Sequence, residues 1–183
     1  MKLRLTGADH GSTLLANAGF TVKTPRALEV NVYHDSDDKV LRRKQAVLRL
    51  RETGGRSILT FKGRLQADAG GESEKYKSRE EIEVSISDFG NCQLILERIG
   101  YRPVFRYEKY RTEFQRSAEA GIATLDETPI GVFLELEGAP EWIDRTACEL
   151  GFGEMDYIRS SYGELYREHR RRHPECPVNM TFI

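Results

Sequence analysis

The sequence predicts an α+β protein of antiparallel strands and short helices. Three observations point there. Apolar and charged residues alternate with period two along six separate stretches. Three short helical segments end in the same signal, Ala18-Gly19-Phe20, Ile99-Gly100-Tyr101 and Leu150-Gly151-Phe152. The stretch from Val104 to Glu137 reads as two charged strands joined by a short connection, with a Pro-Ile-Gly turn at Pro129 to Gly131.

Met1 to Leu5 alternates, with Leu3 and Leu5 on one face and Lys2 and Arg4 on the other, so a strand starts at the first residue. Asp9 to Gly19 follows as a helix carrying Leu14, Leu15 and Ala18. Ala27 to Tyr33 is a strand, and Asp35 to Lys39 a polar turn. Gln45 to Glu52 and Ser57 to Lys62 form a hairpin, with Leu48 and Leu50 facing away from Arg49 and Arg51. Residues 63–77 lose all periodicity and are expected to be a mobile loop within one domain, residues 1–183. A strand resumes at Ser78, where Ile82 and Val84 oppose Arg79, Glu81 and Glu83. Asp88 to Gly100 is a helix capped by Ser87 or Asp88, apolar at Leu94, Ile95 and Ile99. Pro140 opens another helix, which runs to Leu150. A last helix is expected from Asp156 to Arg172, with Tyr162 and Tyr166 on its apolar side, and an irregular tail over 174–183.

Composition bounds the partners. With 28 cations against 29 anions the net charge is −1, so any segregation of sign is local. Cys92, Cys148 and Cys176 are odd in number and widely spaced, which reads as reduced thiols in a cytoplasmic protein. No apolar run is long enough for a signal peptide or a membrane span.

On any one strand, a charged face opposite an apolar one is ordinarily a solvated face. That reading weakens when the arrangement recurs on six strands. Should such a sheet close with its apolar faces outward under helices, the charged faces line its inside. Lys2, Arg49, Arg51, Lys62, Arg79, Lys109 and Arg111 would then share an interior with Glu81, Glu83, Glu113, Asp126, Glu135 and Glu137. A polyphosphate carrying a divalent cation answers both signs: Arg and Lys bind phosphoryl oxygens, and carboxylates hold hard cations.

In this order, Tyr33-His34-Asp35, Leu48-Arg49-Leu50-Arg51, Thr60-Phe61-Lys62-Gly63, Arg79 with Glu81 and Glu83, Lys109-x-Arg111, Leu125-Asp126 and Phe133-Leu134-Glu135-Leu136-Glu137 resemble the CYTH proteins, or triphosphate tunnel metalloenzymes. The resemblance covers nearly the whole chain. It implies a closed antiparallel barrel of about eight strands with helices packed outside, and a magnesium- or manganese-dependent enzyme acting on ATP, thiamine triphosphate or tripolyphosphate. Class IV adenylyl cyclase is the favoured activity and thiamine or inorganic triphosphatase the alternative. It implies phosphate binding by Arg49, Arg51, Lys62, Arg79, Lys109 and Arg111, metal binding by Asp126, Glu135 and Glu137 with Glu81 and Glu83 as further candidates, and catalytic roles for Lys2, Lys109 and Arg111. A homodimer is compatible with it.

One departure stands out. The family opens with Glu-x-Glu-x-Lys, of which Met1-Lys2 matches only the last two positions. A longer form carrying two upstream glutamates is therefore an expectation, and a polyphosphate-binding protein with little or no turnover is a third reading. Other signals are weaker. His169 and His173 near Cys176 have no evident fourth ligand for zinc. Arg170 to Arg172 complement a helix dipole as readily as they would touch nucleic acid, which is not expected as a partner. No phosphate-binding Gly-x-x-x-x-Gly-Lys-Ser/Thr loop is present.

Overall fold

Period-two alternation produces eight strands in the computed structural model, which describes residues 1–65 and 79–182. They are β1 (Lys2–Leu5), β2 (Thr21–Asp35), β3 (Val47–Thr53), β4 (Arg56–Leu65), β5 (Arg79–Ile86), β6 (Arg102–Gln115), β7 (Ile122–Thr128) and β8 (Gly131–Glu137). The helices are α1 (Ala8–Asn17), α2 (Val40–Arg43), α3 (Phe89–Arg98), α4 (Pro140–Glu149) and α5 (Tyr162–Arg172). The strand order is β1-β8-β7-β6-β2-β3-β4-β5, with β1 and β5 at its two ends and no ladder between them among the described residues. The sheet is thus eight-stranded and antiparallel as expected, whereas the described ladders do not close it. The loop expected over 63–77 lies outside the described residues from 66 onward; Gly63 to Leu65 continue β4.

The chain groups into two compact units, residues 1–27 with 109–169 and 182, and residues 28–108 with 170–181 and 183. In the first unit the apolar faces of β1, β7 and β8 bury Leu3, Leu5, Leu125, Leu134 and Leu136. Helix α1 adds Leu15 and approaches so closely that Gly11 lies against the side chains of Leu5 and Leu125. Helix α4 contributes Trp142, Ile143 and Ala147 to the buried set. In the second unit Val32 and Leu50 are buried on one face of β2 and β3, and Leu96 of α3 is buried too.

The three Gly stops close their helices identically. Gly19, Gly100 and Gly151 all have φ between 80° and 92°. Behind them Phe20 N–H donates to the Leu15 carbonyl, Tyr101 N–H to that of Leu96 and Phe152 N–H to that of Ala147. This is the six-to-one bond of the Schellman motif, and only glycine enters the left-handed conformation there without strain. Asp88 caps α3 by accepting from Asn91 N–H at 2.7 Å.

Several expectations change. The helix expected from Asp156 begins six residues later, at Tyr162, because Ser161 and Glu164 form a capping box: Ser161 N–H donates to the Glu164 carboxylate and Glu164 N–H to Ser161 Oγ. Residues 154–156 are a separate short 3₁₀ turn, and Ile158 bridges to Lys2. The polar turn after Asp35 holds the short helix α2, whose N–H groups at Leu41 and Arg42 donate to the Asp35 carboxylate. On α3 the residue that meets the sheet is Leu96, while Leu94, Ile95 and Ile99 are exposed. The tail is irregular except at Met180, which exchanges backbone hydrogen bonds with Arg106 and Glu108 and is fully buried.

Candidate functional site

In the first unit, strand register places a set of charged residues on one face. Lys2 stands opposite Glu135, Glu135 opposite Thr124, and Asp126 opposite Arg111. Residues directly opposite point the same way, so these side chains converge while Leu3, Leu134 and Leu125 share the other face. Asp126, with no exposed surface, accepts from Lys109 Nζ at 2.8 Å and from Arg111 through both carboxylate oxygens at 2.6 Å. Arg111 also reaches Glu135, and Lys2 Nζ pairs with the other Glu135 oxygen at 2.7 Å. Glu137, at the rim with its side chain 61% exposed, is 3.9 Å from Arg111.

Burial disfavours ionisation of Glu135, but Arg111, Lys109 and Lys2 outweigh it and hold the carboxyl well below the usual carboxylate range. One member of this cluster went unnoticed among the site candidates. Tyr162, at the start of α5, donates its hydroxyl to Asp126 at 2.7 Å, and Lys2 Nζ lies 4.3 Å from its ring centre. Burial, and then the charges of Glu135 and Asp126, push the Tyr162 hydroxyl well above its usual pKa, so it stays a donor. The capping box at Ser161 was the sequence signal that places it, since it makes Tyr162 the first helical residue instead of a mid-helix one. Glu113, opposite Thr124 on the same face, accepts from Thr24 Oγ1.

The second unit carries its own charged face. Arg49, nearly fully buried, donates to Thr60 Oγ1 at 3.2 Å and pairs with Glu83 at 3.3 Å, and Thr60 Oγ1 donates to the same Glu83 oxygen at 2.7 Å. Lys62 pairs with Glu81 at 2.8 Å. Arg51 pairs with Glu29 at 3.3 Å and donates from Nε to Asn31 Oδ1 at 2.9 Å. Glu29 and Asn31 alternate with Leu28, Val30 and Val32, and that alternation is their only signal in the sequence. Tyr33 continues their face and packs against Tyr107 and Phe105 with ring centres 5.4 and 6.0 Å away. Arg79 opens β5 opposite Leu65. His34 and Asp35, part of the motif around Tyr33, are buried, Asp35 as the anchor of α2.

The expected site residues thus fall into two sets, Lys2, Lys109, Arg111, Asp126, Glu135 and Glu137 in the first unit and Arg49, Arg51, Lys62, Glu81 and Glu83 in the second. The oxygen donors suit a hard divalent cation. Their oxygens are nevertheless engaged by the protein's own cations, and no group of three or more His, Cys, Asp or Glu side chains is arranged to hold a metal among the described residues.

The chain belongs to the CYTH family: the CYTH domain profile matches residues 1–160. It is 31% identical over 152 residues to a protein of Methanocaldococcus jannaschii named a "putative adenylate cyclase", covering 76% of this chain and 82% of that protein. Among solved structures, one from Vibrio parahaemolyticus, also named a "putative adenylate cyclase", has a TM-score of 0.75 at 20% identity, covering 91% of this chain and 95% of that one. The PH1819 protein of Pyrococcus horikoshii gives 0.74 at 25%, covering 92% and 97%. A Hippeastrum protein, named a "putative adenylyl cyclase" and said to reveal a dominant triphosphatase activity, gives 0.64 at 20%, covering 92% and 94%.

Proposed function

We propose that this protein is a divalent-metal-dependent enzyme acting on a triphosphate, in a single domain whose sheet closes into the barrel of its family. Adenylyl cyclase activity, converting ATP to cyclic AMP and pyrophosphate, is the favoured reaction. The observation that carries the reading is the cluster of Lys109, Arg111, Asp126, Glu135 and Lys2, ion-paired and buried on a strand face. Burying charges costs several kcal/mol each unless they are paired, by order of magnitude, and a stable core does not require them. A site for a multiply charged ligand does.

In this reading Arg49, Arg51, Lys62, Arg79, Lys109 and Arg111 bind the phosphoryl oxygens, and the Arg forks offset the charge that develops on non-bridging oxygens. As phosphate oxygens draw Arg111 and Lys109, they release the oxygens of Asp126 and Glu135. Those two and Glu137 would hold magnesium or manganese, with Glu81 and Glu83 as further candidates; when bound, the metal polarises the phosphorus under attack. Lys2, which contacts Glu135 and the Tyr162 ring, would steady the reacting phosphate. Cyclase and triphosphatase chemistry differ in which oxygen attacks: a ribose hydroxyl at the α-phosphorus, or water at a terminal one. Membership of the CYTH family supports both, and the triphosphatase activity described for the Hippeastrum relative favours keeping the second reading.

With magnesium or manganese the purified protein is expected to turn over ATP or tripolyphosphate. The products decide the reaction: cyclic AMP with pyrophosphate marks a cyclase, and ADP with phosphate a triphosphatase. Glu135→Gln combined with Glu137→Gln is expected to abolish turnover in a folded protein, and equal rates in wild type and double variant would remove the carboxylates from the mechanism.

A further inference from the structure

Asn31 lies on the charged face of β2, two register positions from Tyr33 and Arg49 and directly opposite Arg51. It has no exposed surface. Its Oδ1 accepts from Arg51 Nε at 2.9 Å. Because the guanidinium can only donate, this bond fixes which end of the amide is oxygen and which is nitrogen. The amide nitrogen Nδ2 is therefore turned away from Arg51, and it is buried without a hydrogen-bond partner. A buried donor left unmet is costly, and natural proteins seldom keep one without a use for it. Glu29, on the same face, takes the Nη1 side of Arg51 at 3.3 Å. Two side chains of β2 thus hold one guanidinium, and one of them keeps a donor to spare beside it.

We propose that Asn31 is a substrate-binding residue: its Nδ2 donates to a non-bridging oxygen of the polyphosphate held by Arg49 and Arg51, while Glu29 acts as a positioning residue that sets the Arg51 fork. This rests on the triphosphate reading above and extends it to two residues outside the cation set. A neutral amide is suited to the task. It adds a donor where two cations already stand, and it orients Arg51 without neutralising it.

The competing account is that Asn31 only anchors Arg51. Asn31→Asp separates the two, because an aspartate of the same shape still accepts from Arg51 Nε but presents an oxygen where the donor stood. Calorimetric titration with tripolyphosphate is expected to show an affinity loss on the order of 10–100-fold, the range of a charge-assisted hydrogen bond. The melting temperature of the ligand-free variant should match or exceed that of wild type. Thr53→Asp, which adds the same charge on the same strand face two residues from Arg51, is the control for long-range repulsion and is expected to cost about threefold or less. Should Asn31→Asp fail to fold, Asn31→Ala removes the donor without adding charge and is expected to lose about tenfold or more. Affinity within twofold of wild type in the folded variant, or equal losses in Asn31→Asp and Thr53→Asp, would overturn the assignment while leaving the triphosphate reading intact. Failure of wild type to bind tripolyphosphate would overturn both.

Discussion

Asp126 is the residue on which the first charged face turns. It accepts from Lys109, Arg111 and Tyr162, and Lys109 is itself almost wholly buried. Asp126→Ala removes a buried carboxylate from the ammonium of Lys109 and the guanidinium of Arg111, and a loss of about 3–5 kcal/mol is expected in urea denaturation. Tyr162→Phe removes one hydrogen bond to a charged acceptor and is expected to cost about 1.5–3 kcal/mol. Glu135 adds a pH dependence whose sign follows from its lowered pKa. Its contribution to stability is fully present above the unfolded-state value of about 4.3 and is lost as pH falls through the lower folded-state value. Wild type should therefore be more stable than Glu135→Gln at neutral pH, with the gap narrowing in acid. Melting curves from about pH 7 down to about pH 3 check this, and a gap that stays constant with pH would remove Glu135 from the acid response.

At the scale of the element, close approach decides more than propensity does. A Cβ built on Gly121 would sit 2.2 Å from the ring of Trp142, and one on Gly138 would sit 3.0 Å from it. The indole is buried, so neither ring nor backbone yields cheaply. Gly121→Ala is expected to destabilise by about 1–3 kcal/mol, and Gly138→Ala by less. Trp142 is the sole tryptophan, so its fluorescence reports the repacking directly. Equal stability of Gly121→Ala and wild type would contradict the packing described for α4. The three Gly stops were legible in the sequence because the left-handed turn is a local demand, met by the residue itself. The start of α5 is legible too, in Ser161-x-x-Glu164, but the spacing of Ile158, Ser161, Tyr162, Leu165 and Tyr166 points to a longer helix. Tyr157 instead leaves the helix and donates to Asp144.

For the molecule as a whole, ligand binding is the measure of the proposed function. Tripolyphosphate is expected to raise the melting temperature more than orthophosphate does, since a ligand bound only by the folded state stabilises it by mass action. Arg49→Ala with Arg51→Ala should remove most of that difference, and an unchanged shift would place the phosphate site elsewhere. No helix among the described residues is long and apolar enough to cross a membrane.

Period-two alternation by itself determined that Lys109 and Arg111 share a face of their strand, that Glu135 and Glu137 share a face of theirs, and that Leu134 and Leu136 turn away from the latter. Those facts follow from the geometry of a single strand. Only the tertiary structure decided which cation meets which anion. The register of β1 on β8 sets Lys2 beside Glu135 and that of β7 on β6 aligns Asp126 with Arg111, and both depend on turns and packing far along the chain. It also brought Tyr162 onto Asp126, 36 residues away, and turned Glu29 and Asn31 toward Arg51. Such contacts are fixed by burial and hydrogen bonding between strands and helices distant in sequence, where no local pattern records them.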